Sequence, residues 1–556
     1  MSEDTNKLPT EQSNETSSSP SLDGLATIQS SCSENDEKPS FNYDLDLFNL
    51  CKLYLENKNH HGLALISRQK GLPPFLRFRI WPILLKYHPF VINPFLQPDS
   101  DAINKSDSES STGSDSSTAS SPGIEEDEIK IKIRKDLGKY VQRLRHSSSF
   151  ELSDIESQIF EILQQSILKF TLKWNRIIKY DEALTWIALN LAEWFPPIVN
   201  TPWVLVGRDN ANNKRFVKSL FDDYSNYIES ISGLNSSLNS LLEDTSNTKM
   251  SFHDVYERLV LVILHSPEER NKESSTSNKI DKTILPISGG TIEDRVSFFI
   301  YCLRKLLPEL SKLFQEEQIL NKFGNNDDEW LIWWLKYCGA KVWSKFDRGR
   351  IWDLLLGWRL KNPKRDMEYY NDKLDMDKEL LNKLGPDVFW SVSDEDETDQ
   401  KSKLNERSKS FKDLINGLSD LDTNQLNYLS TPSSKLKNWN LDNSLDDNVP
   451  FAKLDPQIEL IFVSLALLRS KENTLVDLDQ HEIRQYLSRL PSNSYKYKQN
   501  KKNYDSPMKR QPHSTQSSTL ISNDSSNNHK VDFMDNIINE AGELWRKFFW
   551  LELQDS

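Results

Sequence analysis

Apolar side chains recur along this chain at helical spacing, in blocks set apart by polar tracts. Leu47, Leu50, Cys51, Tyr54 and Leu55 fall on one face of a helix that starts near Asp44. Ser153 and Glu156 make a capping-box pair ahead of Ile155, Ile159, Leu163, Ile167, Phe170 and Trp174, a spacing that predicts a long amphipathic helix. Tyr301, Leu303, Leu306 and Leu307 predict another, which Pro308 stops, and Leu310, Leu313 and Phe314 open the next turn. Similar stripes run over Trp330–Trp343, Arg348–Trp358, Ile458–Leu468 and Phe533–Phe549. Sustained alternation of period two is absent, and so are hairpin signals such as Asn-Gly between β-branched runs. The pattern predicts an all-α fold. No regular repeat of about 33 to 45 residues argues for a helical solenoid.

Between the helical blocks lie tracts too poor in apolar side chains to offset chain entropy, and disorder is predicted for them. They are the tail 1–40 and insertions at 99–128, 267–290, 392–450 and 492–530. The main body then spans 41–391, a helical closing part 451–491, and a last helix 531–556. The 99–128 tract alternates Ser with Asp and Glu, the composition of an acidic kinase substrate, so phosphorylation is expected there. A serine run, Ser147–Ser149, follows Arg143 and Arg145 and is a second candidate.

Composition narrows the function. The 556 residues are 37% hydrophobic and 27% charged, with a net charge of -14, which argues against a uniformly basic surface for nucleic acid. The polar start has no basic segment followed by an apolar one, so no signal peptide is read. The most apolar run, Leu184 to Val206, is broken by Glu193 and Pro196-Pro197, so no membrane span is expected. The protein is therefore expected to be cytoplasmic. Cys32, Cys51, Cys302 and Cys338 form no CxxC pair and have no histidine at zinc spacing, so no metal site or cofactor is expected. Cys302 and Cys338 read as small core residues. The His60-His61 pair reads as part of a polar connection, and His265 and His481 as lone histidines. Among the 15 tryptophans, those at 330, 333, 334, 343, 352 and 358 follow the helical stripes and read as core, with a recognition surface as the alternative.

Four segments in order resemble the TBC family of Rab GTPase-activating proteins. Gly71-Leu-Pro-Pro-Phe-Leu-Arg-Phe-Arg-Ile-Trp-Pro-Ile-Leu-Leu85 is similar to that family's opening signature, matching at Gly71, Pro73, Leu76, Arg77, Trp81, Leu84 and Leu85. Gly71 would end one helix, Pro73-Pro74 would set the first turn of the next, and Arg77 and Trp81 would share a face. Ile133-Arg-Lys-Asp136-Leu-Gly-Lys139 resembles the family's I-x-x-D-x-x-R, with Lys139 where the arginine finger stands. Tyr180-Asp-Glu182-Ala-Leu stands where the family has Y-x-Q-G-M, with Glu182 in place of the glutamine that positions water. Trp330-Leu-Ile-Trp-Trp-Leu followed by Arg350-Ile-Trp-Asp353 resembles the family's W-F-L-x-L-F and R-I-W-D segments, and Ile461–Leu468 and Asp535–Trp545 resemble closing helices.

The resemblance implies a two-lobed helical TBC-type domain with long insertions, and a GTP-bound Rab-type GTPase as partner. It implies Lys139 and Glu182 at the catalytic positions, with Arg77, Asp136 and Tyr180 toward the partner. An activator of this kind has no catalytic centre of its own. Lysine keeps the finger's charge but lacks the planar fork that bridges two oxygens, and an arginine finger is worth roughly a thousand- to a hundred-thousand-fold in rate. An ionised Glu182 accepts hydrogen bonds and cannot donate them, and near a triphosphate it adds like-charge repulsion of about 1–4 kcal/mol at 4 Å. Each position also has a plain reading: Lys139 as a solvated lysine beside Lys132, Arg134 and Lys135, and Glu182 as a structural carboxylate paired with Lys179 or Lys139. Two classes stay open: an activator with atypical fingers, and an inactive relative that binds a GTPase or serves as a scaffold. No P-loop, G-x-S-x-G or H-E-x-x-H motif competes.

Overall fold

Helix starts in this chain are written by capping residues. Ser153, Ser251, Thr291 and Asp479 each accept a hydrogen bond from the backbone three residues on, and Glu156, Asp254, Asp294 and Glu482 answer at the cap nitrogen. The computed structural model describes residues 45–92, 122–144, 152–175, 177–207, 216–243, 250–265, 291–320, 328–359, 387–389, 454–490 and 533–555. The tracts 1–40, 267–290, 392–450 and 492–530 lie outside the described residues, as does 99–121. The described residues belong to one unit, Phe41–Ser556.

The described chain opens with α1 (Leu45–Glu56), α2 (His60–Gln69), a 3-10 turn (Pro74–Leu76), α3 (Arg77–Lys86) and α4 (Pro89–Ile92). Then come α5 (Pro122–Leu144), α6 (Asp154–Trp174) and α7 (Glu182–Ala192). Next are α8 (Ser225–Ser230), α9 (Leu234–Glu243), α10 (Phe252–Ile263), α11 (Ile292–Leu306) and α12 (Pro308–Glu316). The remainder is α13 (Glu329–Leu335), α14 (Lys345–Leu356), α15 (Pro456–Ser470), α16 (Glu472–Leu475), α17 (Gln480–Ser488) and α18 (Phe533–Asp555). The fold is all-α. Its β content among the described residues is one antiparallel pair, Trp203–Leu205 with Val217–Ser219, in register Trp203 to Ser219. Three-residue strands are too short to print a two-residue alternation, which is why the sequence did not announce them.

Helix α5 runs antiparallel to α6: Arg134 donates to Gln164 at 3.3 Å, and the Tyr140 and Phe160 rings lie 6.4 Å apart. Helix α15 is apolar almost all round and buried from Pro456 to Leu468, with α18 packed on it, the Phe462 ring meeting those of Trp545 and Phe548 at 5.3 and 5.8 Å. The tryptophans at 330, 333, 334, 343, 352 and 358 are all buried, so the core reading holds. Cys51, Cys302 and Cys338 are buried free thiols, and Cys32 lies outside the described residues.

Four expectations need correction. The stripe Trp330–Trp343 is not one helix. Helix α13 stops at Leu335, and the chain then turns through Cys338 and Gly339, at φ 45° and 69°, with Gly339 N donating to Trp333 O at 2.8 Å. Tyr301 faces outward, at 46% exposure, because the buried face of α11 is Val296, Phe299, Cys302, Leu303 and Leu306. The acidic tract ends at residue 121, since α5 already begins at Pro122, a proline set for a first turn. His60 and His61 open α2, with Asn59 as cap, and His60 stacks on Tyr87 at 3.9 Å.

Two buried hubs, one a carboxylate and one a guanidinium, join segments far apart in sequence. Asp353 of α14 accepts from Arg77 Nη2 at 2.6 Å, from Trp81 Nε1 at 2.8 Å and from the Leu72 amide at 3.1 Å. Arg68 of α2 pairs with both Asp387 and Glu459, all three buried. Arg350, one turn before Asp353, donates to the carbonyls of Ser67, Arg68 and Gln69, closing the C-terminus of α2, and pairs with Asp535 of α18 at 2.6 Å. The chain can leave α2 beneath that guanidinium because Gly71 takes φ +73°, and a Cβ there would stand 2.7 Å from Arg350 Cδ.

Candidate functional site

Helix α5 packs on both α6 and α7, and this packing brings Lys139 toward the start of α7. Asp136 and Lys139 are three apart on α5, hence on one face, and Lys139 Nζ donates to Asp136 Oδ1 at 2.7 Å. The other oxygen of Asp136 accepts from the Tyr180 hydroxyl at 2.7 Å, and that hydroxyl also meets Thr185 Oγ1 at 2.9 Å. Burial, with the Asp136 bond, raises the Tyr180 phenol above its ordinary range, so it stays a neutral donor.

Asp181 caps α7 by accepting from the Ala183 amide at 2.8 Å, which sets Glu182 as the first helical residue. Glu182 Oε1 accepts from Trp186 Nε1, one turn on, at 2.9 Å. The same oxygen lies 3.5 Å from Lys341 Nζ, and Oε2 lies 4.0 Å from Lys139 Nζ. Lys341 comes from the turn between α13 and α14, and its ammonium also rests over the Trp333 ring at 4.7 Å. Side-chain exposure is 40% for Lys139, 25% for Lys341 and 28% for Glu182, so a ligand could reach all three.

The structure thus gathers Asp136, Lys139, Tyr180 and Glu182 in one cluster, and Glu182 does meet Lys139. Arg77 is a correction. It is 3% exposed, its guanidinium is held by Asp353 and stacked on Trp194 at 4.4 Å, and a side chain so enclosed belongs to the core rather than to a partner surface. Trp186 and Thr185 were missed, although Trp186 stands four residues after Glu182, the spacing at which helix side chains meet. Lys341 had no local signal; only the fold brings it near. Among the described residues no group of His, Cys, Asp and Glu could hold a metal, and no helix is long and apolar enough to cross a membrane.

An all-helical body with a four-charge cluster at the meeting of α5, α7 and the turn before α14 is the class that fold and site define. The chain is 55% identical to the oxidant-induced cell-cycle arrest protein 5 of Meyerozyma guilliermondii, over 94% of this chain and 98% of that one. It is 51% identical to that of Candida tropicalis (94% and 92%) and 30% identical to that of Eremothecium gossypii (92% and 96%). The chain belongs to the oxidant-induced cell-cycle arrest protein 5 family. No family model and no solved structure matches it.

Proposed function

We propose that this chain is a TBC-type protein that binds a GTP-loaded small GTPase of the Rab class while stimulating hydrolysis weakly or not at all. One observation carries the reading: Glu182, at the position matched to the water-positioning glutamine, is an ion-paired carboxylate between two lysines. A glutamine there would both accept from water and donate to a partner's backbone, whereas the carboxylate can only accept. Lys139 supports the same reading, because it is held at 2.7 Å by Asp136 and presents a single point charge in place of a planar fork. The setting is suggested by the relatives' name, which speaks of a cell-cycle arrest induced by oxidants. A second reading, an activator with atypical fingers, draws on the 40% exposure of Lys139, which lets its ammonium turn toward an arriving phosphate.

Single-turnover GTP hydrolysis over a panel of Rab proteins separates the two. The wild type is expected to bind at least one GTP-loaded member and to leave its hydrolysis rate nearly unchanged. Lys139→Arg combined with Glu182→Gln should raise that rate far more than the affinity, because both groups act on the transition state. Strong wild-type stimulation lost in Lys139→Ala would establish the second reading. Absence of binding in either nucleotide state would sink both.

A further inference from the structure

The cluster contains more than the two finger positions. Lys139 from α5 and Lys341 from the turn before α14 approach the two ends of one carboxylate, Glu182, at 4.0 and 3.5 Å. We infer that Lys139 and Lys341 form an anion site for a phosphoryl group, and that Glu182 occupies it as a built-in anion. A carboxylate and a phosphoryl group present paired oxygens at similar spacing, so the lysines that bracket one can bracket the other. Both lysines keep part of their surface in solvent, so an entering anion meets them without unfolding anything. Indole Nε1 of Trp186 points at the same place, adding a neutral donor.

The charges decide who occupies the site. Lys139 and Lys341 contribute two positive charges, Asp136 and Glu182 two negative ones, and the cluster is neutral with Glu182 in place. A polyphosphate must therefore displace Glu182 and then lie beside a second carboxylate. Converting Glu182 to glutamine leaves a net positive site with both lysines in position. The side-chain oxygen of glutamine can still accept from Trp186, so the start of α7 keeps its bond. Lys341 is the new element of this site: it lies between Leu335 and Arg350, outside the motifs that carry the family resemblance.

Inorganic tripolyphosphate, titrated calorimetrically at low ionic strength into the full chain, tests this without any GTPase, so the outcome is separate from the partner proposed above. Wild type should bind weakly and Glu182→Gln roughly tenfold tighter or more, since one unit charge within 4 Å of the anion is removed. In the Glu182→Gln background, Lys139→Met and Lys341→Met should each return affinity to the wild-type level or below. Equal affinity of wild type and Glu182→Gln, or indifference to Lys341→Met, overturns the site. Should the glutamine variant lose its cooperative melt, lysine-ammonium NMR on wild type decides. The Lys139 and Lys341 signals should shift together along one binding curve under excess tripolyphosphate. Separate curves, or no shift beyond that of other lysines, overturn it as well.

Discussion

At Lys345 the ammonium lies 4.6 Å over the Trp194 indole, the same ring on which Arg77 stacks. Burial, reinforced by Lys218 and Arg348, lowers its pKa from 10.5 to about 7 despite Asp223 and Glu193 nearby. The unfolded chain holds a proton between those two values that the folded chain has given up. Stability should therefore rise with pH above 7, by roughly 1.4 kcal/mol per pH unit at most, and the penalty of a charged, buried ammonium should be full below 7. Lys345→Met removes the group. Denaturant unfolding of both proteins at pH 6.5, 7.5 and 8.5 should show the variant's advantage shrinking as pH rises. A difference constant across that range would mean that the lysine titrates normally. Residues also mark where sequence reading reaches its limit. Asp136 and Lys139 were legible as a pair because three residues apart on a helix means one face. Arg77 was legible as a neighbour of Trp81, but its acceptor lies 276 residues away, and nothing local distinguishes a buried arginine from one awaiting a partner.

Elements were legible wherever an apolar stripe and its cap coincide. Helix α6 is the clear case: Ser153 and Glu156 make both predicted capping bonds, at 3.4 and 2.9 Å, and the stripe ends at Trp174. The stripe from Trp330 to Trp343 misled because tryptophan fills core from a turn as readily as from a helix, and the left-handed exit at Cys338 is written by backbone geometry. Helix α18 shows the reverse situation. Gly542 sits in its interior, where alanine would ordinarily gain about 1 kcal/mol of helix propensity. Here a Cβ would stand 2.3 Å from the carbonyl oxygen of Val388. Gly542→Ala should therefore destabilise by about 1–3 kcal/mol through overpacking, seen as a lower denaturation midpoint. A higher midpoint would show that the 387–389 segment yields easily.

For the whole molecule, the sequence disclosed the all-helical class, but not the contacts that join the helical blocks. Replacing residues 99–121 by a short Gly-Ser linker should leave the thermal transition almost unmoved, since loop-closure cost varies slowly with length. Extending the replacement through Glu128 removes the first turns of α5 and should cost on the order of 1 kcal/mol in lost helical pairing. An equal effect of both replacements would mean that those turns contribute nothing. The Asp353 hub has a consequence in time. The Leu72 amide and the carboxylate that receives it are separated by 281 residues. At about 5–20 residues per second, synthesis inserts roughly 14–56 s between them. Throughout that interval Arg77 and Trp81 exist without their acceptor, so α3 cannot lock while the chain grows. The nascent protein must pass through a long window with its first helices unfinished, a period in which the apolar side of α3 is offered to chaperones before its own carboxylate arrives.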